Sequence, residues 1–133
     1  MEKQSKKEII DIHRFFEAWL NGRMPKSGDE LSALDCRLDD RFLMVSPSGR
    51  ISDKAGLMEN LMQAHGSWSG EEIWIENMEC RYNEGGLCLM MYEEWQGRRD
   101  GEKRGRLSTV LFRVDGGTPI WVHLHEVWLP DKT

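Results

Sequence analysis

With 133 residues, 39% hydrophobic and 31% charged, the chain is long enough to bury a core without disulfide or metal staples. Its net charge of −5 excludes the electrostatic footprint of nonspecific nucleic-acid binding. No apolar run approaches the roughly 18 residues of a bilayer span, so membrane insertion is excluded too. The charged N-terminus has no apolar segment behind it, and Cys36, Cys80 and Cys88 lack metal or redox spacing; reduced thiols in the cytoplasm are the expectation. Six Trp and eight Met in so short a chain point to a large pocket or a subunit interface besides the core.

Ser5-Lys-Lys-Glu8 is a capping-box pattern, followed by Ile9, Ile12, Phe16 and Trp19 at helical spacing, with Phe15 and Leu20 widening the stripe. Asn21-Gly22 offers a stop, so the spacing predicts a helix over about 6–21. Met24-Pro25 breaks the chain, and Ser27 to Glu30 repeats the capping box ahead of Leu31, Leu34 and Leu38 in a shorter helix. Phe42 to Val45 reads as a strand, Ser46 to Gly49 as a turn, and Arg50-Ile51 as a brief return. Ser52 or Asp53 caps a third helix with the stripe Leu57, Met58, Leu61, Met62 and His65.

From Glu71 the period changes to two, which predicts strands over 72–82, 87–96, 106–115 and 120–129. Turns fall at Asn83 to Gly86 and Asp115 to Pro119. Between them, the Gly-rich stretch 97–105 carries Arg98, Arg99, Lys103 and Arg104 and reads as a solvated loop. Helices followed by a meander of strands give an α+β fold over one domain, residues 1–133, with the helices on one face of one sheet.

Two stretches carry a family resemblance. Asp40 to Lys54 resembles the short hairpin and helix start of SnoaL-like domains in the nuclear transport factor 2-like superfamily. Arg106-Leu-Ser-Thr109, Asp115-Gly-Gly and Trp121-Val-His-Leu-His125 are similar to the final hairpin of the same group, an ending shared by the association domain of calcium/calmodulin-dependent kinase. The resemblance implies a cystatin-like cone, in which a strongly curved antiparallel sheet wraps the helices and encloses a pocket, and the opposite face makes a homodimer. It implies no single chemistry, because the fold hosts isomerases, dehydratases, cyclases, binding proteins and assembly modules. Members often end the last strand with a second His followed by Ser; those places look occupied by Val127 and Leu129, so no role for that His is carried over.

Alternation then sorts the side chains. A four-residue turn at Asn83 to Gly86 pairs Tyr82 with Leu87 and puts Cys80 and Cys88 on opposite faces. The same face takes Trp74, Glu76, Met78 and Cys80 with Leu89, Met91, Glu93 and Trp95. It continues through Arg106, Ser108, Val110 and Phe112 to Val122, Leu124, Glu126 and Trp128. Pointed into the pocket, it makes Glu93, Trp95, Arg106, Ser108, Glu126 and Trp128 candidate ligand contacts, with Trp19 and Phe16 as a roof. Glu93 or Glu126 is the candidate general base, its pKa raised by apolar surroundings. Arg106 either holds an anionic ligand group or steadies a carboxylate.

The outer face then carries Ile75, Tyr92, Trp121, His123 and His125 as candidate dimer contacts, along with Ile73, Met90 and Glu94. A shorter loop before the last strand would instead turn both histidines into the pocket. Two imidazoles without a third donor do not make a metal site. No GxGxxG, phosphate loop or HExxH appears, so no cofactor is expected. His13 and His65 receive no role. Two functions stay open: a homodimer binding a small, largely apolar molecule, with or without acid/base chemistry, and a non-enzymatic association module.

Overall fold

The computed structural model describes residues 1–130. Three helices, α1 (Glu2–Leu20), α2 (Gly28–Asp35) and α3 (Lys54–Ala64), accompany six strands: β1 (Leu38–Val45), β2 (Ile51–Asp53), β3 (Glu72–Glu84), β4 (Leu87–Gly97), β5 (Lys103–Asp115) and β6 (Thr118–Trp128). The strands form one sheet in the order β2-β1-β6-β5-β4-β3. Neighbours are antiparallel except β1 and β6, which run parallel, so the sheet is mixed. The α+β architecture expected from the sequence is present, with α1 lying across one face and touching β3, β4 and β6. No helix among the described residues is long and apolar enough to cross a membrane.

Local signals account for most boundaries. The Ser27 hydroxyl caps α2 by accepting from the Glu30 amide, and the Asp53 carboxylate caps α3 by accepting from the Gly56 amide. At α1 the capping pattern misleads. The helix starts three residues before Ser5, whose amide already donates to the Met1 carbonyl at 3.0 Å and whose hydroxyl is buried. Glu8 is used in tertiary structure instead. Its carboxylate accepts from Arg37 Nε and Trp121 Nε1, both at 2.8 Å, and ties α1 to the start of β1 and to β6.

β3, β4 and β6 keep close to their expected ranges, whereas β5 starts at Lys103, inside the expected loop, and β1 starts at Leu38, expected on the second helix. Besides a register shift between Leu38 and Leu43 on β1, three irregularities in the later strands reset which face each side chain meets. On β3, Glu76 pairs with Glu93 and Glu79 with Met91, so Asn77 and Met78 together oppose one residue. Asn77 takes φ +53°, the left-handed conformation that Asn tolerates better than most residues. A second irregularity lies between Cys80 and Tyr82, and a third, on β6, lets both Trp121 and Leu124 point inward. The β3–β4 turn is also two residues tighter than expected. Glu84 pairs with Leu87 across Gly85-Gly86, both at positive φ, as a two-residue hairpin requires.

These irregularities overturn several face assignments. The inner face of β4 is Cys88, Met90, Tyr92, Glu94 and Gln96, while Leu89, Met91, Glu93 and Trp95 point outward. Ile75 and Tyr92, expected on the dimer face, pack in the core; Tyr92 is fully buried. Trp121 is also buried in the interior, because the β6 bulge turns it against Phe112 at a ring separation of 4.7 Å. Trp74 and Glu76 face outward, opposite Trp95 and Glu93, whereas Met78 and Cys80 beyond the Asn77 bulge pack on the core. Cys80 and Cys88 therefore share the inner side rather than opposite faces, both as free thiols. The inner register of β5 is as expected: Ser108, Val110 and Phe112 are buried and Arg106 lines the interior.

Candidate functional site

Between α1, β1, α3 and the inner sheet face lies a cavity of about 160 Å³. Apolar side chains make most of its wall, among them Phe16, Leu20, Phe42, Met44, Leu57 and Leu124. One flank is different in kind: His13, Glu94, Gln96, Arg106 and Glu126 all reach it. An apolar hollow with a few convergent polar groups is the usual make-up of a small-molecule site.

Periodicity and register place those polar groups. His13 lies on the stripe of α1 between Ile12 and Phe16, so the helix turns it onto the sheet. Glu94 and Arg106 are cross-strand partners on β4 and β5, as are Ser108 and Glu126 on β5 and β6. His13 Nδ1 faces the Ile9 carbonyl at 2.6 Å, an acceptor only, so this nitrogen carries a proton and donates. His13 Nε2 lies 3.0 Å from Glu94 Oε1, with both side chains under one-tenth exposed. Glu94 also accepts from Gln96 Nε2.

The charge states follow from this geometry. Burial works against the His13 imidazolium, but the Glu94 charge and hydrogen bond, with the Ile9 carbonyl, outweigh it and hold the pKa above the ordinary histidine value. Burial likewise disfavours the Glu94 carboxylate, yet His13, Arg106 and Gln96 bring its pKa down to about 2. The pair is therefore an imidazolium–carboxylate, with both ring nitrogens donating.

Glu126 sits 1% exposed beside this pair. Its Oε1 accepts from Arg106 Nη1 and its Oε2 from Ser108 Oγ, both at 2.8 Å. Burial first, and then the Glu94 charge, raise its pKa, while Arg106 and Ser108 restrain the rise. On this flank Arg106 Nε is buried without a protein acceptor, and the ionisation of the buried Tyr92 hydroxyl is pushed well above the usual range by burial and the two carboxylates. So much buried charge is not the cheapest way to fill a core; perturbed ionisable groups lining a hollow mark a candidate functional site.

The structure brings together three of the expected ligand contacts, Arg106, Ser108 and Glu126. Glu93 and Trp95 are not among them, because β4 turns them to the opposite face. Trp19 is fully buried, but as a core pillar donating from Nε1 to the Leu61 carbonyl at 2.6 Å, outside the cavity lining. Trp128 is 40% exposed at the end of β6, with the Arg104 guanidinium 3.7 Å from its ring centroid. His123 and His125 are exposed on the outer face, across from Leu111 and Thr109. Of the polar groups on this flank, His13 carries no role in the sequence-based expectation, and Glu94, expected on the outer face, is buried on the inner one. The available signal was a histidine inside an otherwise apolar helical stripe. No group of three or more His, Cys, Asp or Glu side chains is arranged as a metal donor set among the described residues.

Comparison with known proteins places this geometry in a family. A nuclear transport factor 2-like protein of unknown function from Pseudomonas aeruginosa is 30% identical, with a TM-score of 0.86 over 96% of this chain and 99% of that one. A putative calcium/calmodulin-dependent kinase II association domain from Exiguobacterium sibiricum superimposes with a TM-score of 0.67 over 97% of this chain and 93% of that one, at 13% identity, a likeness of fold alone. In sequence, the chain is 24% identical over 131 residues to a probable sucrose-phosphatase 3a of Arabidopsis thaliana, covering 95% of this chain but only 30% of that protein's length. Residues 5–130 match the family described as sucrose-6-phosphate phosphohydrolase C-terminal, and the chain belongs to that family, with a nuclear transport factor 2-like, cystatin-like fold.

Proposed function

We propose that the chain is a binding domain whose cavity takes a small, largely apolar molecule bearing one hydrogen-bonding group. The observation that carries this reading is the apolar hollow of about 160 Å³ flanked by Arg106, Glu94 and Glu126. That volume sets the scale: a cavity of about 150 Å³ accommodates benzene, whereas drug-sized ligands need about 300 Å³ or more. A disaccharide is too large and too polar for it, so the activity named for the Arabidopsis relative does not transfer to this hollow.

Binding is favoured over proton transfer by the state of the bases. Both oxygens of Glu126 and both nitrogens of His13 already engage protein partners. The buried Arg106 Nε remains to meet an acceptor such as a carbonyl or ether oxygen. A thermal-shift screen with substituted phenols, aromatic ketones and short aliphatic ketones tests this reading. The expected result is a raised Tm for compounds with about 6–10 heavy atoms, lost in Leu57→Trp, which fills the hollow. Equal shifts in the wild type and the filled variant would rule the cavity out, and turnover of a bound compound that vanishes in Glu126→Gln would restore the acid/base reading.

The outer face supports homodimerisation as a companion reading. Leu89, Leu107, Leu111 and Val127 surround the exposed His123 and His125 there, an apolar patch beside polar rims. Static light scattering at micromolar concentration is expected to give twice the chain mass, reduced to the monomer in Leu111→Glu. A monomeric wild type would leave the patch without this partner.

A further inference from the structure

Four of the six tryptophans, Trp68, Trp74, Trp95 and Trp128, line grooves outside the core at one end of the sheet. Trp74 on β3 and Trp95 on β4 are directly opposite one another, and so are Glu76 and Glu93 one step along. Each indole donates to the carboxylate two residues away on its own strand, Trp74 Nε1 to Glu76 Oε2 at 2.9 Å and Trp95 Nε1 to Glu93 Oε1 at 3.1 Å. The two rings lie within 14° of parallel, their centroids 6.5 Å apart. The Arg99 guanidinium sits 4.7 Å from the Trp74 ring centroid, and Lys103 Nζ is drawn to the Arg99 carbonyl at 2.8 Å.

These five side chains, Trp74, Glu76, Trp95, Arg99 and Lys103, line one groove of about 300 Å³. It meets at Trp95 and Lys103 a wider, open one that continues over Gly105 to Trp128. Gly105 is built for this surface. A Cβ there would come within 2.8 Å of Trp95 Cη2 and Cζ2, so the bare backbone of β5 lets the indole lie across it.

We infer that this ladder of paired indoles and paired carboxylates is a binding site for a neutral saccharide. Pyranose rings present C–H faces that stack on an indole, and hydroxyl rims that both donate and accept hydrogen bonds. The carboxylates opposite one another repel, and hydroxyl donors offset that repulsion while Arg99 and Lys103 donate to ring and hydroxyl oxygens. The same carboxylates disfavour phosphates and nucleic acid, and the charged rim disfavours a purely apolar partner. The site is independent of the cavity, which opens on the other face of the sheet.

Cellobiose is a suitable probe, since its equatorial hydroxyls leave both pyranose faces free to stack. Titrated into the nitrogen-15-labelled full chain, it is expected to shift the indole N–H resonances of Trp74 and Trp95 and leave those of the core residues Trp19 and Trp121 in place. Trp74→Ala, on the edge strand, is expected to weaken binding about tenfold, within the range that ring stacking on an aromatic side chain supports. Gly105→Ala is expected to weaken it by displacing the Trp95 ring, with Trp74 intact. Unmoved Trp74 and Trp95 signals, undiminished binding in Trp74→Ala, or stronger binding of an oligonucleotide than of cellobiose would each overturn the assignment.

Discussion

Replacing His13 by Leu is expected to lower stability at pH 6 by about 3–5 kcal/mol, the cost of removing one partner from a buried ion pair. Glu94 would then keep its burial and lose the strongest of the groups that hold it ionised, since its other supports are Arg106 and Gln96. For a domain of this size the loss corresponds to a Tm lower by more than about 10 °C. The double variant His13→Leu with Glu94→Leu removes both charges together, and is expected to recover most of the loss.

The pH profile separates the charge effect from lost packing. His13 has a folded pKa above its ordinary 6.5, so its contribution is complete below pH 6.5 and is lost as pH rises through the folded value. Glu94 has a folded pKa lowered from 4.5 to about 2, so its contribution is complete above pH 4.5 and is lost as pH falls towards 2. The pair therefore supports the fold most fully between these limits. Wild-type Tm should decline above pH 6.5, and the His13→Leu variant should lack that part of the decline. Identical alkaline slopes for the two proteins would show that His13 is not a buried imidazolium.

What the sequence made legible was whatever depended on spacing within one element. The stripe Ile9, Ile12, Phe16 and Trp19, the caps at Ser27 and Asp53, and the approximate spans of β3, β4 and β6 all follow from local periodicity, and all are found. What it did not show was register across the sheet. A bulge such as that at Asn77 adds one residue and turns every later side chain to the other face. The expectation that Glu93 and Trp95 share the pocket face with Arg106 fails at the β4–β5 hairpin, where Glu94 opposes Arg106 and Trp95 opposes Gly105. Arg106, Ser108 and Glu126 do share a face, because β5 and β6 stay in step between Arg106 and Leu111. His13 was missed for a different reason. Its partner Glu94 is 81 residues away, and no local pattern announces a pair made by tertiary packing.

Arg106 is where the two carboxylates of the site meet a shared cation, and its removal should have a pH-dependent cost. In Arg106→Met, Glu126 loses the charge and the hydrogen bond that restrain its pKa, so burial and the Glu94 carboxylate push it higher still. A carboxyl whose folded pKa is raised contributes most below its unfolded value, near 4.5, and loses that contribution as pH rises. The variant should therefore sit closest to the wild type near pH 4.5 and fall behind towards pH 8, by about 3–5 kcal/mol when Glu126 is forced to ionise unpaired. Glu126→Gln in the same background keeps an oxygen to accept from Ser108 Oγ and carries no charge. Chemical denaturation at the two pH values is the deciding measurement: the Gln replacement should flatten the pH dependence and recover stability at pH 8. Should the double variant be no more stable there than Arg106→Met alone, repulsion between Glu94 and Glu126 is not what Arg106 relieves. The cation–π contact of its guanidinium with the Trp128 ring, 5.0 Å from the guanidinium carbon to the ring centroid, would then be the larger part of its role.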